Sequence, residues 1–144
     1  MKTYSHTQRA GRWLWLPAGM ALVLLFMALW LRLWPVLGGI VVLALAMWLF
    51  GSLTIEISAG VLKWRLGPGL IRRSLPVNLI AEARAVRTRW FDGWGIHYTR
   101  LGWLYNVAGF DAVAITLKNG KQFALGTDEP DRLLAALNHG LAHL

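Results

Sequence analysis

The sequence predicts a membrane α-hairpin of two transmembrane helices, followed by a mainly-β domain of about seven antiparallel strands with a C-terminal amphipathic helix. Three observations predict it. Residues 13–53 are almost wholly apolar, and Arg32 is the sole formal charge among them. From residue 53 the apolar period drops to two, the period of a half-buried strand. The last stretch returns to helical spacing, with Leu133, Leu134, Leu137 and Leu141 on one face. The expected organisation is a cytoplasmic N-terminal tail (1–12), a transmembrane helical hairpin (13–53, helices at about 13–31 and 36–53) and a cytoplasmic β domain (54–144).

Residues 1–12 are polar and short, which suits a mobile or interfacial tail. About 20 apolar residues cross a hydrocarbon core of about 30 Å, and two such runs follow back to back. Leu33-Trp34-Pro35 separates them, because proline donates no backbone hydrogen bond and disfavours helix in the residue before it. Trp13 and Trp15, Trp30 and Trp34, then Trp48 and Phe50 put aromatic residues at both ends of both runs, as interfacial belts require. Gly38 and Gly39 either let the two helices approach closely or belong to the turn. The basic N-terminus and apolar run superficially suggest a signal peptide. The run is too long, however, and lacks a small-residue cleavage site.

Leu53, Ile55 and Ile57 alternate with Thr54, Glu56 and Ser58 as a first strand of the domain. Ala59-Gly60 turns the chain. Leu62, Trp64 and Leu66 alternate with Lys63 and Arg65 as a second strand, which Gly67-Pro68-Gly69 ends. A third runs from Leu70 to Leu75, before Pro76, and a fourth from Ile80 to Trp90. Residues 91–110 are rich in glycine and aromatic residues, with short strands near 96–99 and 103–107. Val113, Ile115 and Leu117 lead to Asn119-Gly120, a strong hairpin signal whose two turn positions are both expected at positive φ. Phe123 and Leu125 point inward on the return strand. Asp128 is the expected cap of the final helix, with Pro130 in its first turn.

The charge distribution adds direction. The 144-residue chain has a formal charge of +8, from 15 Lys and Arg against 7 Asp and Glu. Lys2, Arg9 and Arg12 precede the hairpin without an acid, and the β domain after it is also net basic. Both flanks are thus more basic than the turn, which places both termini in the cytoplasm and the protein in a bacterial inner (cytoplasmic) membrane. There is no cysteine, which excludes disulfides, thiolate nucleophiles and cysteine metal sites.

Four segments carry a family resemblance: Gly93-Trp94-Gly95-Ile96, Gly102-Trp103-Leu104-Tyr105-Asn106-Val107, Gly109-Phe110-Asp111-Ala112-Val113 and Leu125-Gly126-Thr127-Asp128-Glu129-Pro130. With two preceding spans, they resemble small bacterial two-span membrane proteins bearing a pleckstrin-homology-like (PH-like) domain. The resemblance covers most of residues 50–140. It implies a sheet domain closed by a C-terminal helix and says little about activity, since a fold hosts many functions. The basic spacing of phosphoinositide-binding PH domains is not reproduced by Lys63-Trp64-Arg65 and Arg72-Arg73.

The sequence therefore reads as a non-enzymatic interaction module. Its expected partners are the membrane, anionic lipid headgroups, or proteins of an inner-membrane complex to which it is an accessory or assembly subunit. The candidate binding residues are Arg72, Arg73, Arg84, Arg87, Arg89 and Arg100, with the aromatic residues Trp90, Trp94, Trp103 and Tyr105. Bases near an anionic surface, and Arg and Trp at interfaces, are the physical grounds. An ordinary solvated face is the competing reading for the arginines, and a core role for the rings. No nucleophile elbow or phosphate loop is present, Gly93-Trp94-Gly95 lacks a helix after it, and no cofactor is expected. Nucleic acid is disfavoured by the modest net charge of the domain and the lack of a recognition module. The alternative is an enzyme or metal-dependent regulator using His97 or the pair His139 and His143. That pair is four residues apart, but Gly140 stands where a zinc hydrolase needs glutamate.

Overall fold

The computed structural model of the chain describes residues 2–11, 15–89, 92 and 95–142. Among these residues the order is β1 (Lys2–Arg9), α1 (Trp15–Trp30), α2 (Trp34–Phe50), β2 (Ser52–Ser58), β3 (Val61–Leu66), β4 (Ile71–Pro76), a 3-10 turn (Val77–Leu79), β5 (Ile80–Arg87), β6 (Gly95–Thr99), β7 (Gly102–Asn106), β8 (Asp111–Leu117), β9 (Gln122–Gly126) and α3 (Pro130–Ala142). Two sheets result, with strand orders β1-β2-β3-β4 and β5-β8-β9-β7-β6.

Residues 2–9 are a strand rather than a free tail. β1 pairs antiparallel with β2, from Arg9 opposite Ser52 back to Tyr4 opposite Ile57. The helical hairpin therefore stands where a β1–β2 turn would be, and the Ala10 amide closes its base on the Gly51 carbonyl at 2.9 Å.

The expected transmembrane spans are not formed. Among the described residues no helix is long and apolar enough to cross a membrane. The two helices hold 16 and 17 residues, and at about 1.5 Å per residue the longer reaches roughly 26 Å, short of a core of about 30 Å. The break lies where proline predicts it. Arg32 takes φ +53°, the Leu33 amide bonds back to the Ala28 carbonyl at 2.9 Å, and Pro35 enters the first turn of α2. A two-span membrane anchor, an inner-membrane location and the membrane as integral partner are thus overturned, because each rested on those spans. Gly38 and Gly39 do not serve close helix approach, since a Cβ at either would meet no atom within 4 Å.

The expected domain of about seven antiparallel strands is also corrected: among the described residues nine strands form two sheets, and one pair is parallel. β9 returns beside β8 but lies parallel to β7, with Trp103 opposite Phe123 and Tyr105 opposite Leu125. Gly102 makes that close pairing feasible. Its φ is +80°, and a Cβ there would run into the Gln122 carbonyl. At the β8–β9 hairpin only Gly120 has positive φ. Asn119 instead uses its side-chain oxygen to accept the Lys121 amide at 3.0 Å, the local turn chemistry open to Asn.

The core lies between the two sheets and under α3. Leu53, Ile55 and Ile57 of β2 and Leu62, Trp64 and Leu66 of β3 meet Val113, Ile115, Phe123 and Leu125 from the second sheet. Leu133 and Leu137 close it from α3, which packs on β5, β8 and the 3-10 turn. The expected cap is replaced. Thr127 Oγ1 accepts the Glu129 amide at 3.1 Å, while the Asp128 carboxylate turns to His6 on β1 at 2.5 Å.

Candidate functional site

The predicted arginine cluster is divided by the fold. Arg72 and Arg73 are neighbours on β4, so period-two alternation sends them to opposite faces of the sheet. Arg72 stands opposite Arg65 on the outer face, and Arg73 opposite Trp64 on the core face. Arg84 and Arg87 lie on β5, at one edge of the second sheet. Arg89 follows that strand, and its amide donates to Asp92 Oδ2 at 2.8 Å. Arg100 sits in the β6–β7 turn at the other edge, roughly 19 Å away at about 4.8 Å per strand. Trp90 and Trp94 lie outside the described residues.

Three predicted residues do converge. Arg73, Trp103 and Tyr105 line a cleft of about 620 Å³ between the edge strand β4 and strands β6, β7 and β9, with Trp64, Lys121 and Phe123. Alternation aligns Trp103 and Phe123 of its lining on a rung that continues beyond the cleft at both ends. Tyr98, Trp103, Phe123 and Ile115 are successive partners across β6, β7, β9 and β8, so they share one rung and one face. The rung grades from core to solvent: Phe123 is 9% exposed, Trp103 51% and Tyr98 75%. At its buried end Trp64 stacks on Phe123, centroids 5.0 Å apart with 18° between planes, and meets the Tyr105 edge at 5.6 Å. At its open end Tyr98 and Trp103 meet edge to face at 5.8 Å.

Charge in the cleft has one sign. Arg73 supplies a guanidinium from β4 and Lys121 an ammonium from the start of the return strand, and no acidic side chain lines the cleft among the described residues. Rings offer apolar contact and the two cations offer charge-assisted hydrogen bonds. Lys121 and Trp64 were not singled out in the sequence. Their alternation marks them as strand residues, but only the pairing of β7 with β9 brings them to Trp103.

The structure also gathers Tyr4 and His6 of β1 with Asp128, Glu129 and Arg132, a group that local sequence could not suggest across more than a hundred residues. His6 Nε2 meets Asp128 at 2.5 Å and Nδ1 lies 3.4 Å from Glu129. Glu129 also pairs with Arg132 at 2.8 Å. Burial, then the Glu129 charge, raises the Tyr4 phenol above its ordinary value of 10.0. His97 lies elsewhere, on β6. Its rung continues through Leu104, Ala124 and Ala114 to Arg84, which offers no acid or nucleophile. His139 is on α3, and His143 lies outside the described residues. Among the described residues no three His, Cys, Asp or Glu side chains could together hold a metal ion.

Comparison with protein-family models, curated proteins and solved structures gives no match. With a two-sheet order that is no meander and helices too short to span, this overturns the resemblance to two-span membrane proteins with a PH-like domain.

Proposed function

We propose that the protein is a non-enzymatic binding module whose aromatic cleft takes a small amphipathic anion. The observation that supports this reading is the open end of the aromatic rung beside two cations. Trp103 in the cleft and its edge-to-face neighbour Tyr98 present apolar rings to solvent, and among the described residues Arg73 and Lys121 share the cleft without a carboxylate to neutralise them. Its volume falls in the range of about 300–1,000 Å³ usual for ligand pockets. An apolar body would lie on the rings, and a carboxylate or phosphate would meet the guanidinium fork and the ammonium.

Equilibrium dialysis of the full chain against 2-naphthylacetate tests this. The acid should bind at least about fivefold more tightly than the neutral 2-naphthylacetamide, since a charge-assisted hydrogen bond contributes about 1.5–3 kcal/mol. Arg73→Gln and Lys121→Gln should remove that preference, and Trp103→Ala should weaken both probes. Equal binding of acid and amide, or acid binding indifferent to all three substitutions, would overturn the reading.

A further inference from the structure

The outer face of the first sheet carries a second feature, across β3 and β4 from the cleft, with Trp64 and Arg73 bordering both. Pairing across β1, β2, β3 and β4 sets two polar rungs side by side. One runs Thr7, Thr54, Arg65, Arg72; the other runs Ser5, Glu56, Lys63, Ser74. Thr7 and Thr54 join their hydroxyls at 2.9 Å. The β3 and β4 ends of both rungs line a depression of about 310 Å³.

Two properties set this face apart from an ordinary solvated one. Arg65 stands directly opposite Arg72, and like charges directly opposite in a sheet destabilise it. Lys63 adds a third cation on the same face, two residues from Arg65 and so about 7 Å along the strand. Against them, among the described residues, the depression has a single carboxylate, Glu56, whose direct cross-strand partner is Lys63. An anion between the two guanidinium groups would turn the repulsion into a clamp. Arginine's planar fork donates two parallel hydrogen bonds to an oxyanion, and the hydroxyls of Thr54 and Ser74 border the same depression.

We infer that this face is an oxyanion site for a phosphate monoester, held by Arg65 and Arg72 and assisted by Lys63. A phosphate monoester fits better than a carboxylate, because it carries close to two negative charges at neutral pH and three acceptor oxygens. The ester can be a soluble metabolite or a lipid headgroup, since the recognised group is the same.

The test titrates the full chain with glycerol 3-phosphate and, separately, with phosphatidate in neutral-lipid vesicles, by calorimetry. The inference expects binding of at least one probe, weakened about tenfold or more by Arg65→Gln and by Arg72→Gln, and unmoved by Lys121→Gln, which lines the cleft and not the depression. Binding of the soluble ester assigns a free phosphate; binding of the vesicle alone assigns a headgroup. A second measurement needs no ligand. In phosphate-free buffer of low salt, Arg65→Gln should hold or raise the melting temperature, and added glycerol 3-phosphate or vesicles should raise it more in the native protein than in the variant. Failure of both probes to bind, binding indifferent to both substitutions, or a lower melting temperature for ligand-free Arg65→Gln would overturn the inference. Loss of naphthylacetate binding with the phosphate site intact would count against the cleft alone.

Discussion

α3 and the α1–α2 hairpin are built from similar apolar residues and meet opposite fates. α3 gathers its leucines into one stripe, buries Leu133 and Leu137 completely, and turns Asp131, Arg132 and Asn138 to solvent. The hairpin is apolar on every side, yet Ala28 is its one buried residue among those described. Trp15, Phe26, Trp30, Val42 and Trp48 are all more than half exposed. The difference teaches that apolar content does not bury a helix in a domain; a stripe matched to a sheet does. Topology reinforces the point. α3 follows β9 and folds back over β5 and β8, whereas the hairpin replaces a strand connection and touches the sheets at its base, where Phe50 packs against the core.

Several substitutions would break or sharpen this contrast. The largest loss is expected in the sandwich. Phe123→Ala removes the ring under Trp64 and should cost about 3–5 kcal/mol in urea unfolding; a loss under about 1 kcal/mol would mean that the aromatic stack is not part of the cooperative core. Leu137→Ala should cost about 2–5 kcal/mol by the same measurement, because a fully buried leucine leaves a cavity. His6→Ala separates β1 from the start of α3 and should cost about 1 kcal/mol or less, since its carboxylate partners are partly exposed. A loss like that of Leu137→Ala would make the contact between β1 and α3 part of the core.

Tyr4 gives a pH-dependent prediction beside that contact. Its phenol is held protonated in the fold to a higher pH than in the unfolded chain. Its contribution is therefore complete below about pH 10 and is lost as pH rises through the folded value, where the unfolded chain binds fewer protons. Tyr4→Phe should flatten the decline of stability above pH 10 and change little at pH 7, where the phenol is protonated in both the folded and the unfolded chain. An unchanged alkaline decline would assign that decline to other groups. The smallest effect is expected in the hairpin. Val42→Ala should shift stability of the β domain by no more than about 0.5 kcal/mol, as for an exposed site; a loss of about 2 kcal/mol would show that the hairpin stabilises the sandwich after all.

The sequence determined the local elements. Period-two alternation located β2, β3, β8 and β9, Leu33-Trp34-Pro35 marked the helical break, and the leucine stripe marked α3. These signals are legible because they depend on residues two to four positions apart. The tertiary structure decided what those signals could not. It made residues 2–9 a strand, since β1 becomes one only by pairing with residues some fifty positions later. It reassigned Asp128 from helix cap to partner of His6, and it set β7 beside β9. It also set Arg72 opposite Arg65 and Arg73 opposite Trp64, scattered Arg84, Arg87 and Arg100 to opposite edges, and brought Trp103, Tyr105 and Arg73 to one cleft. The physical reason is the same throughout: alternation assigns a side chain to one of two faces, but only strand pairing decides which neighbours that face acquires.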